Sequence, residues 1–312
     1  MPKHPTTTRI FLAVGTALLA LAASALPALA IPGDLYVSNH DKNTIERFTP
    51  SGVASVFAST GLNQPIGLAF DASSNLYAAS FGTNTIERFT PGGAASVFAS
   101  TGRNGPSGLV FDASGNLYAA IISTSIIERF TPGGTASVFA STGLSVPSGL
   151  AFDAGGNLYA ANAGNNTIER FTPGGAASVF ASTGLNQPVG LAFDTSGNLY
   201  ATNVNDNTIE RFTPGGVASV FASTGLTGPY GLAFDVSGNL YVANNDNTIK
   251  RFTPGGVASV FATGLNAPTF LAFEPGSAPP PSAVPEPASA ALLALELGGL
   301  GGLGVFRRRQ TA

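Results

Sequence analysis

Hydrophobic and polar residues alternate in short runs along most of this chain, and the runs recur at a fixed spacing. One unit, at 67–99, reads GLAFDASSNLYAASFGTNTIERFTPGGAASVFA, and near-copies of it fill most of the sequence. A tyrosine marks each copy, and successive tyrosines are 41 residues apart: Tyr36, Tyr77, Tyr118, Tyr159, Tyr200 and Tyr241. A repeat of this length, made of short strand-like runs, predicts an array of similar small sheets.

Each unit divides into four extended runs separated by turn residues. The first run, at 67–71, is apolar on both faces, which is typical of a fully buried strand. Three further runs follow at 76–79, 85–90 and 94–99, with an Asp/Ser/Asn turn before the second and a Pro-Gly-Gly turn before the fourth. Four antiparallel strands in about 40 residues are typical of a propeller blade, so we predict an all-β propeller.

The array begins and ends in the middle of a unit. It opens with a second strand at Asp34–Ser38 and closes with a first strand at Thr269–Glu274. We therefore predict six blades over residues 31–276, with Leu271–Phe273 pairing against Leu35–Val37 to close the ring. The chain contains no cysteine, which excludes disulfides, thiolate metal sites and thiol nucleophiles, so packing alone must hold the fold.

The pattern P-x-GLAFD-x-SGNLYVAN, followed by NTI-x-RFTP-G, resembles NHL-type repeats and, more loosely, the propellers of streptogramin lyases and gluconolactonases. The resemblance spans about residues 34–276 and implies the blade architecture, whereas a fold by itself does not determine an activity. Streptogramin lyase propellers use a histidine and a glutamate at a central site. Beyond its first thirty residues this chain has one histidine, His40, with no distinctive nucleophile beside it in its loop, so we expect no catalytic residue.

The N-terminal 30 residues predict a secretory signal peptide. Lys3 and Arg9 precede an apolar run from Ile10 to Leu26, and the small residues Ala28 and Ala30 provide a cleavage pattern. A retained membrane anchor is the competing interpretation. Cleavage would place the mature protein outside the cytoplasm.

The C-terminal end carries a second targeting pattern. A Pro/Ser-rich linker at 277–284 leads to an apolar run at 288–306, which is long enough to span a bilayer. The flanking residues are the motif Pro285, Glu286 and Pro287 and the basic tail Arg307, Arg308 and Arg309. Residues 285–312 resemble the PEP-CTERM sorting signal of Gram-negative bacteria. That resemblance implies processing by an exosortase-type enzyme, transient membrane association, and delivery to the outer surface or extracellular matrix; a plain membrane anchor is the alternative.

Charge narrows the range of partners. Without the two terminal segments, 15 acidic and 9 basic residues remain, so the repeat region carries a net charge near −6. An acidic surface repels polyanions, so we expect neither nucleic acid nor an anionic membrane surface as a partner.

Consecutive Glu and Arg residues recur in the third run of most units. Neighbours in a strand point to opposite faces, so we predict that the Glu of one blade pairs with the Arg of the next. The predicted residues are Glu46/Arg47, Glu87/Arg88, Glu128/Arg129, Glu169/Arg170 and Glu210/Arg211, with Lys250 interrupting the series in the last copy.

The aspartates that end the first runs allow two interpretations: Asp71, Asp112, Asp153, Asp194 and Asp235. Calcium needs six to eight oxygen ligands converging on one point, and each turn offers only one Asp and one Asn. We favour capping of the turn backbone, and we expect no cofactor, with calcium as the open alternative.

Two sets of connections vary: those between the second and third runs of a unit, and those between one blade and the next. The Asp and Pro-Gly-Gly turns hardly vary. Alternating strand direction places both variable sets at one end of the ring, where divergent loops on a rigid scaffold favour binding. The candidate binding-face residues are His40, Asp41, Phe81, Ile121, Asn162, Asn203, Asn205, Tyr230 and Asn245. The sequence thus predicts a surface or matrix scaffold protein that binds polysaccharide or envelope protein. The alternative is a metal-dependent lactonase or lyase with its site at the channel mouth.

Overall fold

The computed structural model of the protein describes residues 33–102 and 105–275, which form a closed ring of six four-stranded antiparallel sheets. The first blade combines β24 (Pro268–Phe273), β1 (Leu35–Asn39), β2 (Thr44–Phe48) and β3 (Ala54–Ala58). The other blades follow chain order: β4 (Pro65–Phe70), β5 (Leu76–Ser80), β6 (Thr85–Phe89), β7 (Ala95–Ser100); β8 (Pro106–Phe111), β9 (Leu117–Ile121), β10 (Ile126–Phe130), β11 (Ala136–Ala140); β12 (Pro147–Phe152), β13 (Leu158–Asn162), β14 (Thr167–Phe171), β15 (Ala177–Ala181); β16 (Pro188–Phe193), β17 (Leu199–Asn203), β18 (Thr208–Phe212), β19 (Ala218–Ala222); β20 (Pro229–Phe234), β21 (Leu240–Asn244), β22 (Thr248–Phe252), β23 (Ala258–Thr263). The predicted all-β six-bladed propeller is confirmed.

The ring closes as the repeat register predicts. β24 runs antiparallel to β1, with Leu35 opposite Phe273 and Val37 opposite Leu271. The innermost strand of the first blade therefore comes from the C-terminal end of the array, and the predicted pairing of the two ends is confirmed.

Aromatic rings form the core of each junction between blades. The ring of Tyr77 lies 4.9 Å from that of Phe98 in its own blade and 4.9 Å from that of Phe111 in the next blade, edge-on in both cases. The same pattern reaches the closing junction, where Tyr241 contacts Phe261 and Phe273. Such edge-on pairs contribute about 0.5–1.5 kcal/mol beyond their buried area, so every junction is held by the same aromatic core.

Glycine allows the innermost strands to approach closely around the ring axis. A Cβ added to Gly67 would lie 2.0 Å from the carbonyl oxygen of Ser107 in the next blade, and one added to Gly149 would lie 2.2 Å from that of Val189. Gly108, Gly190 and Gly231 are held in the same way. The sixth copy has Phe270 at this position, so the symmetry of the axis is broken at the closing strand.

Several sequence predictions concern residues outside the described ranges. They are the signal peptide at 1–30, the linker at 277–284, and the sorting signal at 285–312 with its apolar run at 288–306. Within the described part of the chain, no helix has the length and apolar character needed to cross a membrane.

Candidate functional site

The two ends of the ring differ in composition. One end, which we name the turn face, carries the Asp/Ser/Asn turns and the Pro-Gly-Gly turns. The other, the loop face, carries the connections between second and third strands and those between one blade and the next. A hydrogen bond from the backbone N–H of Phe81 to the carbonyl of Gln64, 3.2 Å long, joins the two kinds of connection. The prediction that both variable sets share one end is confirmed.

Asp71 shows what the repeated aspartates do on the turn face. One carboxylate oxygen accepts hydrogen bonds from the backbone N–H groups of Ser73 (2.8 Å) and Asn75 (2.9 Å). The other accepts from the Asn75 side chain (2.8 Å) and the Tyr77 hydroxyl (3.4 Å). Asp112 and Asp153 make the same four contacts, so capping, the favoured interpretation, is confirmed there.

A second repeated device fixes the connections of the loop face. Asn43 adopts a left-handed backbone conformation (φ 56°), and its Oδ1 accepts a hydrogen bond from the backbone N–H of Gln64, 2.6 Å away. Equivalent bonds from 2.6 to 3.1 Å are made by Asn84, Ser125, Asn166, Asn207 and Asn247. Each bond ties the loop of one blade to the connection that enters the next, so hydrogen bonds link the loops all around the loop face.

A pocket of about 240 Å³ opens on the loop face at the ring axis. It is lined by Ile66, Ser107, Ser148, Tyr230, Thr269 and Phe270 from the innermost strands, and by His40, Ile122 and Asn245 from the loops, together with Ala267 and Pro268. The first group lies where the strands converge on the axis, and the loop residues form the rim. Five blades therefore contribute an innermost-strand residue to one site, which we name the axial pocket.

The axial pocket combines aromatic rings with small polar groups. Tyr230 and Phe270 are half-buried, and Ser107 and Ser148 are buried beside them with their hydroxyl oxygens 3.5 Å apart. Among its described lining residues, His40 is the one whose side chain can carry a charge near neutral pH. The pocket therefore suits an uncharged ligand that presents both an apolar face and hydroxyl or amide groups.

His40 is held by its own loop. Its Nδ1 lies 2.8 Å from Oδ1 of Asp41, and its backbone N–H donates to the carbonyl of Ala267. The side chain of His40 is 26% exposed and that of Asp41 is 63% exposed, so the pair faces solvent at the rim. The contact with Asp41 orients one ring nitrogen and leaves the other available to a ligand.

The candidate residues divide into three groups. His40, Tyr230 and Asn245 line the axial pocket. Three other candidates lie on the loop face but do not line the axial pocket: Asp41, Phe81 and Asn205. The side-chain amide of Asn205 donates to Asn186 Oδ1 (3.1 Å).

The third group, Ile121, Asn162 and Asn203, is not on the face at all: each is at most 1% exposed, at the end of a second strand. The expectation that they belong to the binding surface is wrong. Ile121 packs in the core, and the Asn162 amide donates to the carbonyl of Gly143 (2.9 Å) and to Thr167 (3.0 Å). Asn203 repeats these bonds with Gly184 and Thr208.

Apart from Tyr230, sequence reasoning missed the innermost-strand members of the pocket. Ile66, Ser107, Ser148, Tyr230 and Thr269 occupy one repeat position, immediately after the proline that begins each first strand. Variation at that position was the available signal. Phe270 was detectable too, because it stands where the other five copies have glycine.

The predicted pairing of Glu with Arg across blades is wrong for Glu87, Glu169 and Glu210. These carboxylates are buried at the connection that enters their own blade: a Cβ on Gly143 would lie 2.9 Å from Oε1 of Glu169. Burial raises the pKa of Glu169, and it raises that of Glu210 with Asp206 adding to the effect.

The arginines lie against the tyrosines of their own blades, toward the turn face. Burial raises the pKa of Tyr118, Asp112 raises it further, and the hydrogen bond and charge of Arg129 oppose the rise. Glu and Arg thus point to opposite faces, as predicted, but they lie at different heights in the ring.

A metal centre requires several ligands at one point. In the ranges 33–102 and 105–275, no group of three or more His, Asp or Glu side chains is placed to hold a metal ion.

Comparisons with known proteins identify a matching family and structures with a similar fold. A family model described as the Virginiamycin B lyase family matches residues 22–252. No curated protein matches the chain significantly.

Solved structures share the fold at low sequence identity. A chain of a nidogen/laminin complex is 22% identical with a TM-score of 0.70, covering 78% of this chain and 99% of its own. Virginiamycin B lyase from Staphylococcus aureus is 19% identical with a TM-score of 0.64, covering 79% of this chain and 87% of its own. A gluconolactonase from Xanthomonas campestris is 20% identical with a TM-score of 0.60, covering 68% and 79%.

Proposed function

The chain belongs to the Virginiamycin B lyase family, and from that premise we propose that it is an exported binding protein whose axial pocket holds a neutral sugar unit of a surface or matrix polysaccharide. One observation carries the proposal. The residue that follows the first proline of the innermost strand differs between blades, and in five blades it lines the axial pocket together with Phe270, while the turn aspartates and the aromatic core hardly vary. A near-symmetric ring thereby acquires one asymmetric site.

The chemistry of the lining supports a sugar. The rings of Tyr230 and Phe270 offer apolar surface to the C–H face of a pyranose, and Ser148, Thr269 and Asn245 offer hydrogen-bonding groups to its hydroxyls. No carboxylate or ammonium group is among the described lining residues, so a neutral sugar requires no charge to be desolvated. An envelope protein is the alternative partner.

The two ends of the sequence support the location. The N-terminal pattern predicts export, and the PEP-CTERM-like segment with Pro285, Glu286 and Pro287 predicts processing by an exosortase-type enzyme. We place the mature protein at the outer surface or in the matrix of a Gram-negative bacterium. As part of the same proposal, we assign the repeats to the NHL type.

Binding of neutral glycans to the purified full chain tests this function. We expect Tyr230→Ala to weaken binding by about tenfold or more, because it removes one of the aromatic surfaces. Asn205→Ala is the matched control, since Asn205 lies on the same face outside the pocket. Equal losses in both variants, or binding to envelope proteins with no response to glycans, would contradict the proposal.

A second candidate function is a lyase at the same mouth, and the position of His40 favours it. A neutral imidazole oriented by Asp41 can accept a proton from a bound substrate. Among the solved relatives is a catalytically inactive variant of virginiamycin B lyase with quinupristin. Turnover of quinupristin that disappears in His40→Ala, while Tyr230→Ala mainly raises KM, would establish this function.

A further inference from the structure

The first blade has an open turn where the other five blades have a closed one. In the second blade, the turn begins at Asp71 and ends at Asn75, and the backbone N–H of Asp71 donates to the carbonyl of Asn75 (3.0 Å). At the closing junction, Glu274 and Asp34 occupy these two positions, and the backbone N–H of Glu274 donates to the carbonyl of Asp34 over the same 3.0 Å. The geometry of the turn is therefore kept, although its two ends come from opposite ends of the array.

The repeat register indicates which residues stand at the open turn. A shift of 41 residues places Gly33 at the position of Ser74, and both have left-handed backbone conformations (φ 94° and 58°). The same shift places Ile31 at the position of Ala72, the first residue after the turn carboxylate. Pro275 has this position too when it is counted from the innermost strand, so the register brings the two chain ends together beside the turn carboxylate.

The open turn lacks donors that satisfy the carboxylate in the closed turns. In the second blade, this carboxylate accepts hydrogen bonds from the backbone N–H of Ser73 and from the side-chain amide of Asn75. The register puts Pro32, which has no N–H, in place of Ser73, and it puts the carboxylate of Asp34 in place of Asn75. Glu274 is only 7% exposed, and its buried Oε2 has no hydrogen-bond partner among the described residues.

The closing junction also carries an additional negative charge. Arg47 Nε lies 3.4 Å from Oδ2 of Asp34, and the Asp34 side chain is fully buried. Glu274 is a second carboxylate near this pair, since both Asp34 and Arg47 act on it electrostatically. A buried carboxylate is costly unless a cation and hydrogen bonds compensate it, so this site favours one further cationic donor.

A cavity of about 220 Å³ lies beside Glu274 on the turn face. Gly33, where the described chain begins, lines this cavity together with Glu274. Apolar side chains from the sixth and first blades complete much of the lining: Leu35, Phe234, Val236, Phe261 and Phe273. At the junction of the third and fourth blades, the equivalent cavity is lined by Ala154, which has the repeat position of Ile31. The closing cavity therefore suits an apolar residue that brings a positive charge to Glu274.

We infer that this cavity binds the mature N-terminus of the chain itself: once the leader is removed, the α-ammonium of Ile31 donates to Glu274, and the Ile31 side chain packs between the sixth and first blades. Hydrolysis of the Ala30–Ile31 peptide bond by a signal peptidase consumes one water and leaves a carboxylate on Ala30 and the ammonium on Ile31. Two residues reach at most about 7 Å from Gly33, which lines the same cavity as Glu274. The inference rests on the cleavage after Ala30 that belongs to the proposed export, and it is independent of the ligand in the axial pocket.

The consequence is a ring whose closure is completed by export. In the unprocessed chain, residue 31 has an amide nitrogen, and burial raises the pKa of Glu274 against the opposing effects of Ser74 and Arg47, while Asp34 adds to the rise. The loss of stability with rising pH that such a raised pKa causes belongs to this unprocessed form. The new ammonium favours the ionised carboxylate, so the processed form keeps the contribution of Glu274 at neutral pH.

N-terminal variants of the exported full chain test the inference. Intact mass identifies the first residue of the purified protein. One threonine inserted between Ala30 and Ile31 keeps a free amine but moves it by about 3.5 Å. We expect this insertion to raise the equilibrium constant of urea unfolding by about tenfold in the parent and by less than about threefold in the Glu274→Gln background, because the amine then has no carboxylate to lose.

The reactivity of the amine gives a second readout, which a merely structural role of Glu274 would not change. A free α-amino group has a pKa of about 7.7–8.0, and pairing with a carboxylate raises it. Acylation of the Ile31 amine by an amine-reactive ester at pH 7 should therefore be about tenfold slower in the parent than in Glu274→Gln. Asp235→Asn is the matched control, because Asp235 lines the same cavity from the sixth blade, and it should change the rate by less than about twofold.

Three outcomes would overturn the inference: an exported protein that begins at a residue other than Ile31, equal acylation rates in the parent and Glu274→Gln, or equal effects of the insertion in both backgrounds. If Glu274→Gln does not fold, the parent with and without the insertion still decides, because an equal rate in these two proteins contradicts a bound amine. Glycan binding reports on Tyr230 independently, so failure here is distinguishable from failure of the proposed function.

Discussion

The first and second blades have nearly the same four strand sequences, but the chain enters them differently. The second blade is continuous from Pro65 to Ser100, and the Asp71 turn joins its two inner strands. The first blade takes β24 from the far end of the array, so no turn links Phe273 to Leu35. Comparison of the two shows what replaces a covalent connection.

Polar contacts replace it. The backbone N–H of Glu274 donates to the carbonyl of Asp34 (3.0 Å), and Arg47 Nε lies 3.4 Å from Oδ2 of Asp34. At the loop-face end, the hydroxyl of Ser38 lies 2.8 Å from that of Thr269 and accepts a hydrogen bond from the backbone N–H of Phe270 (3.1 Å).

The second blade has no such hydroxyl. Ala79 occupies the position of Ser38 there, and it is buried in the aromatic and aliphatic core. The fifth blade, whose inner strands are joined by a turn, has Thr202 at this position, and its hydroxyl accepts from the backbone N–H of Gly190 (2.8 Å) and donates to the carbonyl of Tyr230 (2.6 Å). The buried hydroxyl is therefore not specific to the closure, whereas the contacts of Asp34 with Glu274 and Arg47 are made at the closing junction.

The largest effect should come from removing the closing strand. Truncation after Ala267 deletes β24 and exposes β1, all five of whose residues are buried. We expect loss of cooperative heat unfolding, followed by circular dichroism, because the ring opens along an apolar seam.

The matched control is truncation after Pro275, which keeps β24. We expect its unfolding midpoint to remain within about 2 °C of the full chain. A cooperative transition in the shorter variant at the same midpoint would show that closure contributes little.

A smaller effect should follow from Ser38→Ala. The buried hydroxyl serves the carbonyls of Ile66 and Phe270, so its removal should lower the free energy of unfolding by about 1–2 kcal/mol in urea titrations. Ser55→Ala in the same blade is the control, because the exposed Ser55 makes one long bond of 3.5 Å. Equal changes would mean that the closing hydroxyls have no special role.

The smallest effect concerns pH. Burial raises the pKa of Glu274, Asp34 adds to the rise, and Ser74 and Arg47 oppose it. The folded chain therefore holds this proton more tightly than the unfolded chain, so its stabilising contribution is complete below the unfolded pKa and is lost as pH rises through the raised pKa.

Glu274→Gln should remove that dependence. The variant should gain stability relative to the parent as pH rises from about 4, below the ordinary glutamate pKa, to about 8, measured by urea unfolding at both values. Asp71→Asn in the second blade provides the comparison, because the Asp71 carboxylate accepts four hydrogen bonds. A parent whose stability rises with pH as much as that of Glu274→Gln would contradict the assignment.

The fold was predictable because its signals are local and repeated. Strand alternation and turn chemistry fixed β5 and β6 to within a residue of their predicted bounds, and counting strands fixed the pairing of Leu35 with Phe273. The axial pocket depends instead on five strands that are distant in sequence. Phe270 was visible as an exception to a glycine pattern, but only the ring geometry places it beside Tyr230.

The ion-pair error has a similar origin. Strand alternation correctly separates Glu169 from Arg170, but it says nothing of the height at which one blade meets the next. The structure sets the carboxylate against Gly143 near the loop face, while Arg170 stays beside Tyr159. The periodicity of a strand predicts which face of the sheet each side chain points to, but it does not predict how far one blade is shifted along the ring axis relative to the next.

The close approach of the innermost glycines also limits how this gene can change in length. Near-identical units invite duplication or loss of a whole copy during replication. A ring with one more or one fewer member would alter the spacing at Gly67 and Gly149, where adjacent backbones already touch. Gain or loss of one unit is therefore expected to change these contacts along the axis, whereas point changes at the pocket leave them in place.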